Sequence, residues 1–206
     1  MSRRRVCCRT ASGYRLASVN TTRLLLIRHG ESTWNAAGRW QGQGDPPLSR
    51  RGREQAARLA AELADEGIER IVASDLARAS ETAAILGEAL GLAPERDERL
   101  RELDVGRWTG LTRGEIEDLD CARLEHFESG GLEARAGGGE CRREIADRVR
   151  SSVAEIAEGH SGRCVAIVAH LGVARALLAG TELANAEWRC IGAGELASGA
   201  FGGAES

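Results

Sequence analysis

The fold prediction rests on one stretch, Leu24-Leu25-Leu26-Ile27-Arg28-His29-Gly30-Glu31. An apolar run of this length predicts a buried strand, and its carboxyl end presents a guanidinium and an imidazole side by side. In open α/β sheets, ligands bind beyond the carboxyl ends of the strands. Arg offers a planar fork of donors to phosphate, and His can attack phosphorus as a nucleophile. On these residues alone, a phosphate site and an ordinary solvated strand end are equally good interpretations.

A second strand-like run also ends in a histidine. Residues 164–169 are apolar, His170 follows them, and a helix-like segment then runs to Leu178. A third apolar run, 68–73, leads into a helix that carries Arg78 in its first turns, near the positive end of the helix dipole. Two histidines and two arginines delivered by three strand-to-helix junctions would form a pocket for a dianionic phosphoryl group.

The intervening chain alternates between strand-like and helix-like patterns. Strands are predicted near residues 23–28, 69–73 and 164–169. Three helices are predicted, with apolar faces at Ala56, Leu59, Ala60, Leu63 and Ala64 after a Ser49 cap, at Leu76, Ala79, Ala83, Leu86 and Leu90, and at Ile145, Val149, Val153 and Ile156. This order predicts an α/β protein, a three-layer α/β/α fold with a mostly parallel central sheet covered on both faces.

Length and composition favour a single domain. The chain has 206 residues, of which 42% are hydrophobic and 29% charged, as in ordinary globular proteins. We expect the domain to span residues 23–200, between a basic, disordered extension over 1–22 and a tail at 201–206. The extension is rich in Arg and lacks acids, which also fits a transit peptide.

Residues 111–139 fit the repeating pattern least well. This segment contains a charged helix followed by a Gly-rich stretch. The apolar positions of that helix are Ile116, Leu119, Leu124 and Phe127. One interpretation is a lid inserted over the carboxyl edge of the sheet, which would narrow the choice of substrate. The other is a solvated surface excursion.

Charge and cysteine spacing argue against several classes of protein. The net charge of −3 offers no positive footprint for nucleic acid, and no run approaches the ~18 apolar residues that span a membrane. The six cysteines show no metal-ligand spacing. We therefore expect no metal, no other cofactor and a reduced, cytoplasmic chain. All 28 basic residues are Arg, so every cationic contact to a substrate must come from Arg.

Five stretches carry a stronger signal because they occur together in one order. They are residues 26–35 (LIRHGESTWN), 38–42 with 47–56, 74–83 (SDLARASETA), 100–102 with 106–108, and 169–177 (AHLGVARAL). Over about residues 23–178 they resemble the histidine phosphatase superfamily, the group that includes cofactor-dependent phosphoglycerate mutase. Each motif alone is weakly specific, but five in family order are a strong match. The resemblance implies a phosphoglycerate mutase-like fold and a small phosphate ester as substrate.

The resemblance also implies a role for each matching residue. His29 is the expected nucleophile and Glu102 the expected general acid, with Asp104 as the alternative acid. The phosphoryl oxygens would be held by three further catalytic residues, Arg28, Arg78 and His170. Other substrate contacts are expected from Asn35, Arg39, Gln41 and Leu171. No metal is required, because Arg and His neutralise the phosphate.

Three positions depart from the family pattern. Leu171 stands where a small residue is usual, Thr109 where an acid is common, and Cys141 where a Ser is expected. A bulky side chain at Leu171 resists a positive φ and would crowd a phosphate pocket. None of the three departures removes a catalytic atom.

Three functions stay open at this point: a phosphomonoesterase, a phosphoglycerate mutase, and an idle protein that only binds phosphate. Family mutases typically carry Phe-Thr-Gly-Trp where this chain has Arg-Trp-Gln-Gly at 39–42, and they use a Tyr soon after the acid. The only Tyr here is Tyr14. These differences favour the phosphatase, and the filled catalytic positions argue against the idle protein. The sequence predicts neither the identity of the substrate nor the oligomeric state.

Overall fold

A five-stranded sheet forms the centre of the molecule. The structure, a computed structural model, describes residues 7–10, 13–16, 21–178 and 180–192. The strands are β1 (Cys7–Thr10), β2 (Gly13–Leu16), β3 (Arg23–Arg28), β4 (Arg70–Ala73), β5 (Glu95–Arg96), β6 (Cys164–Ala169) and β7 (Trp188–Ile191). The central sheet has the order β5-β4-β6-β3-β7. Its first four strands are parallel, and β7 runs antiparallel to β3.

In the described residues, six helices accompany the sheet: α1 (Thr33–Ala36), α2 (Arg50–Leu63), α3 (Ala77–Leu90), α4 (Arg113–Glu128), α5 (Arg142–Gly159) and α6 (Leu171–Leu177). Two 3₁₀ turns, Glu98–Leu100 and Gly106–Trp108, lie before α4. The predicted cap of α2 is confirmed, since the Ser49 hydroxyl accepts a bond from the N–H of Gly52 at 3.0 Å. Within the part of the chain that the structure describes, none of the helices is both long and apolar enough to cross a membrane.

Both faces of the sheet are covered, which gives the molecule three layers. Alternate residues of β3 point to opposite sides: Leu24 and Leu26 pack in the cluster that contains α5 and α6 residues, whereas Leu25 and Ile27 pack in the cluster that contains α2 and α3 residues. This is why β3 and β6 are apolar throughout rather than alternating. The predicted α/β fold with a mostly parallel sheet is confirmed.

The segment predicted as a lid contains α4, and the four apolar positions of this helix are not all buried. Ile116, Leu124 and Phe127 are buried, but Leu119 is 58% exposed. The backbone at Asp120 leaves the helical region, with φ −155° and ψ 42°. The break follows Leu119 directly, so the spacing from Leu119 to Leu124 does not keep these two residues on one helical face.

Other differences lie at the margins of the domain. Ala64 is exposed because it caps the end of α2 instead of continuing its apolar face. Cys190 is disulfide-bonded, which corrects the expectation that every cysteine is reduced. The pair β1–β2 lies inside the segment predicted to be disordered. The rest of that segment before Thr21, and the tail at 201–206, lie outside the described residues.

Candidate active site

The carboxyl ends of β3 and β6 bring two histidines together. The strands are neighbours, and Arg28 at the end of β3 lies opposite Ala169 at the end of β6. His29 and His170 follow directly, with ring centroids 5.1 Å apart in an edge-to-face arrangement. Both are almost fully buried, at 2% and 1% exposure. The sheet register therefore places two imidazoles, 141 positions apart in the chain, in one pocket.

The His29 ring is held in one tautomer. Its Nδ1 lies 2.6 Å from the carbonyl oxygen of Gly30, and a carbonyl can only accept, so Nδ1 carries the proton and Nε2 the lone pair. The pKa of His29 lies well below 6.5, chiefly because burial penalises the charged ring, and next because of the positive charges of Arg78 and Arg28. The imidazole is thus neutral near pH 7, which is the nucleophilic form.

Several buried donors and acceptors at this edge have no partner. Among the described residues, neither ring nitrogen of His170 is hydrogen-bonded, and the same holds for Nε of Arg28 and of Arg78. The pKa of His170 is also well below 6.5, because of burial first and the charge of Arg78 next. Unpaired buried polar atoms are costly and are rare in native proteins. A bound phosphoryl group could satisfy them.

The two arginines are fixed by backbone carbonyls. Arg28 donates from Nη1 to the oxygen of Leu183 at 2.6 Å. Arg78, fully buried in the first turn of α3, donates to the oxygens of Gly44 at 2.7 Å and Gly42 at 2.9 Å. Burial lowers the pKa of Arg78 to about 10 and also lowers that of Arg28. Both remain cationic at neutral pH, so the edge presents two oriented positive charges.

Glu102 lies at the same edge, close to α6. Its Oε2 accepts from the N–H of Gly172 at 3.2 Å, and its Oε1 from the N–H of Leu103 at 2.8 Å. A Cβ on Gly172 would lie 2.1 Å from Oε1, so any other residue there would displace this carboxylate. The negative charge of Glu102 raises the pKa of both Arg28 and Arg78, against the effect of burial. Glu102 therefore interacts electrostatically with the two arginines that are expected to hold the phosphate.

Arg148 of α5 holds the segment that carries Glu102. Its guanidinium donates to the carbonyl oxygens of Arg99, Arg101 and Glu102 at 2.8, 2.6 and 2.9 Å. It also makes a two-pronged pair with Glu140, at 2.8 and 2.7 Å. Sequence reasoning missed this residue, because an Arg on the polar side of a helix is ordinary.

The alternative acid has a different environment. The Asp104 carboxylate accepts from the N–H of Gly106 at 2.9 Å, so it caps the turn that follows it. Its backbone is tied to Glu140 in both directions, at 2.9 Å each. These contacts give Asp104 a local structural role.

Two donors hold the side chain of Asn35, and one of them also contacts the backbone of His29. Its Oδ1 accepts from the N–H of Ser32 at 3.1 Å and from Nδ2 of Asn185 at 3.2 Å. The Asn185 amide also donates to the carbonyl oxygen of His29, at 3.2 Å. Asn185 was missed because it belongs to a loop without any pattern. The bonds fix the amide of Asn35 so that its NH₂ end remains as a donor.

The other residues predicted to contact the substrate have the following partners and positions. Gln41 accepts from the hydroxyl of Ser32 at 2.7 Å. Arg39 donates to the oxygen of Gly110 at 2.6 Å and pairs with Glu115 of α4 at 3.1 Å, so its charge is committed to the start of that helix. Leu171 is half-buried and opens α6 directly after His170.

Thr82 of α3 connects the two halves of the site and was also missed. Its Oγ1 accepts from the N–H of Gly30 at 3.1 Å and donates to the carbonyl oxygen of Arg78 at 2.7 Å. The side chain is fully buried. It therefore ties the loop after His29 to the turn that carries Arg78.

The chain belongs to the histidine phosphatase superfamily (branch 1), whose family model matches residues 24–198. The resemblance stated from the five motifs is thereby confirmed. A probable phosphoglycerate mutase, GpmB, of Salmonella paratyphi B is 36% identical over 163 residues, which cover 79% of this chain and 75% of the relative.

Two solved structures are similar in fold as well as in sequence. A mycobacterial glucosyl-3-phosphoglycerate phosphatase, in complex with VO3, is 38% identical with a TM-score of 0.74, covering 82% of this chain and 90% of that one. The α-ribazole phosphatase from Shigella flexneri is 28% identical with a TM-score of 0.72, covering 82% and 90%. These likenesses support an enzyme of the phosphatase or mutase type that acts on a small phosphorylated substrate.

Proposed function

We propose that this protein is a phosphomonoesterase that hydrolyses a small phosphorylated metabolite through a phosphohistidine intermediate on His29. The observation that carries the proposal is the bond between Nδ1 of His29 and the oxygen of Gly30, at 2.6 Å. It leaves an unprotonated Nε2 on a neutral ring. The unpaired buried nitrogens of Arg28, Arg78 and His170 support a phosphoryl group as the partner of that lone pair.

In the first step, the lone pair on Nε2 of His29 forms a P–N bond while the P–O bond to the leaving alcohol breaks. The electron pair of the broken bond goes to the leaving oxygen, which takes a proton from the carboxyl group of Glu102. Arg28, Arg78 and His170 hold the non-bridging oxygens. These donors stabilise the transition state because they are oriented before the reaction begins.

In the second step, water attacks the phosphohistidine. The Glu102 carboxylate takes a proton from this water, the P–N bond breaks, and the electron pair returns to Nε2 of His29 as phosphate leaves. Two guanidinium ions neutralise the charge of the phosphoryl group in both steps. We therefore expect turnover without a metal ion.

Four further residues are proposed to complete the site. Asn35 would give a neutral donor to a phosphoryl oxygen, since its Oδ1 is already occupied by Ser32 and Asn185. Gln41, which accepts from the Ser32 hydroxyl, and the backbone of Leu171, which follows His170 in the chain, are proposed to contact the substrate. Arg39 would act through α4, whose first turn it holds through Glu115.

The second candidate function is a phosphoglycerate mutase. It is supported by the relative named as a probable phosphoglycerate mutase, at 36% identity. A mutase returns the phosphoryl group to the substrate's other hydroxyl instead of to water. The absence of any Tyr after Glu102 in the sequence is the feature that favours the phosphatase.

One assay separates the two functions. We expect release of phosphate from p-nitrophenyl phosphate in the presence of EDTA and without added 2,3-bisphosphoglycerate. A panel of sugar phosphates, phosphoglycerates, α-ribazole phosphate, phosphoserine and nucleotides would then identify the preferred ester. Interconversion of 2- and 3-phosphoglycerate faster than hydrolysis of any ester would establish the mutase instead.

A further inference from the structure

An open cavity lies next to the residues that hold the Glu102 carboxylate. Gly172 and Leu103 belong to its wall, and the N–H groups of both donate to the Glu102 carboxylate. A general acid must reach the oxygen of the leaving alcohol. The cavity therefore lies where the alcohol part of a substrate would extend from the phosphoryl site.

The cavity is apolar on most sides and cationic at one. Its hydrocarbon surface comes from Leu103, Phe127, Ile145 and Ala176. Two arginines, Arg142 and Arg175, complete the lining. Arg175 is committed to Glu182, with bonds of 2.5 and 3.1 Å to one carboxylate oxygen, so its charge is already balanced.

Arg142 differs because it has no carboxylate partner within the described part of the chain. It is half-buried at the first position of α5. Its guanidinium carbon lies 4.1 Å from the centroid of the Phe127 ring, and Nη1 donates to the carbonyl oxygen of Gly131 at 3.2 Å. Burial first, and the charge of Arg175 next, lower its pKa. A desolvated cation with only neutral partners would gain from an anion placed beside it.

We propose that this cavity binds the alcohol part of the substrate and that Arg142 pairs with a carboxylate on it. The inference rests on the proposed function, because it names the substrate class of the same site. The two groups of the wall match two parts of such a ligand: Leu103, Ile145 and Ala176 suit a short carbon skeleton, and one unbalanced guanidinium suits one negative charge. A second phosphate, with two charges, would leave one of them uncompensated.

Binding of two probes tests this without relying on turnover. 3-Phosphoglycerate and glycerol 3-phosphate carry the same phosphate on the same carbon skeleton and differ in a carboxylate against a hydroxymethyl group. We would measure both dissociation constants by calorimetry in the His29→Ala variant, which cannot form the phosphohistidine. We expect the carboxylate probe to bind roughly 10- to 100-fold more tightly, as for a charged hydrogen-bonded pair.

A second substitution on this background identifies the residue responsible. Arg142→Gln should reduce the preference to within about 3-fold, chiefly by weakening 3-phosphoglycerate. The matched control is Arg143→Gln, since Arg143 is the next residue and pairs with Glu133 on the exposed surface. The control should keep the preference. Unfolding curves of both variants would show that each is folded.

The proposal is overturned if the wild-type pocket shows no preference for the carboxylate probe, if the preference survives Arg142→Gln, or if Arg143→Gln removes it equally. A greater gain in affinity from fructose 6-phosphate to fructose 1,6-bisphosphate would also overturn it, by assigning the site to a second phosphate. These results are separate from the phosphatase assay, because absence of hydrolysis would refute the proposed function without altering the binding constants.

Discussion

At the scale of single residues, the burial of His29 and His170 makes the free energy of unfolding depend on pH. Burial holds the pKa of each well below 6.5 in the folded chain, whereas the unfolded chain takes up protons near 6.5. The unfolded state therefore binds more protons below that pH. The contribution of the two neutral histidines to the free energy of unfolding is fully present above about pH 6.5. It is lost as the pH falls from there toward the lower pKa that each histidine has in the folded chain.

We predict that the free energy of unfolding falls by about 1 kcal/mol per buried histidine between pH 7.0 and 5.5. In His170→Asn, one of these two contributions disappears, so the fall should shrink by that amount. Urea unfolding at the two pH values measures it. An identical fall in wild type and variant would mean that His170 is protonated in the folded protein.

The role of Glu102 is tested by the leaving group. An alkoxide needs its proton in the transition state, whereas p-nitrophenolate hardly does. Glu102→Gln should slow an alkyl phosphate by roughly 10²- to 10⁴-fold and slow p-nitrophenyl phosphate much less. The control is Asp104→Asn, whose carboxylate caps the turn at Gly106 and should give no such difference. Equal losses on both esters for Glu102→Gln would leave it a role in binding or folding only.

Site residues could be predicted from the sequence only where they stand next to an apolar run. His29 and His170 follow apolar runs, and Arg78 lies in the first turn of the helix after a third run; that placement led to their selection. Arg148 and Asn185 could not be found this way, because their contacts join segments far apart in sequence. Side chains that hydrogen-bond to distant backbone carbonyls produce no periodic pattern in the sequence.

At the scale of elements, α5 positions the acid. Arg148→Lys keeps a positive charge but lacks the fork that reaches three carbonyls and Glu140. We expect a loss of about 1–3 kcal/mol in the free energy of unfolding. The alkyl phosphate should also be slowed more than p-nitrophenyl phosphate, as for Glu102→Gln. Arg143→Lys, on the exposed surface, is the control, and steady-state rates with urea unfolding are the measurements.

A different pattern of rates would contradict this positioning role. If Arg148→Lys slowed both esters to the same extent, the residue would stabilise the fold without orienting Glu102. If it slowed neither, the acid segment would be held by its other contacts, which include the pair between Arg101 and Asp75.

Helix and strand predictions succeeded where burial is continuous. Val149 and Val153 of α5 are buried as their spacing predicts. Leu119 of α4 is an exposed exception: it directly precedes Asp120, which accepts from the indole N–H of Trp108 at 3.1 Å and also pairs with Arg107. Those contacts hold a break in α4 that no local pattern shows. The antiparallel strand β7 was also missed, since only Ile191 in it is fully buried.

At the scale of the whole molecule, the sheet order explains how the site is assembled. The parallel neighbours β4, β6 and β3 end at one edge, so three junctions far apart in sequence deliver Arg78, His170 and His29 to one place. The alternation of strands and helices predicted a shared edge. It did not predict that β6 lies between the other two, because adjacency depends on packing across the entire sheet.

The central claim is that His29 becomes phosphorylated, and direct trapping tests it. The enzyme would be mixed with substrate, quenched without acid, digested, and examined by mass spectrometry. We predict an acid-labile phosphoryl adduct on the peptide that carries His29, appearing within one turnover and absent from the His29→Ala variant, which should also lose turnover. Unchanged turnover in His29→Ala, or an adduct on another residue, would contradict the account.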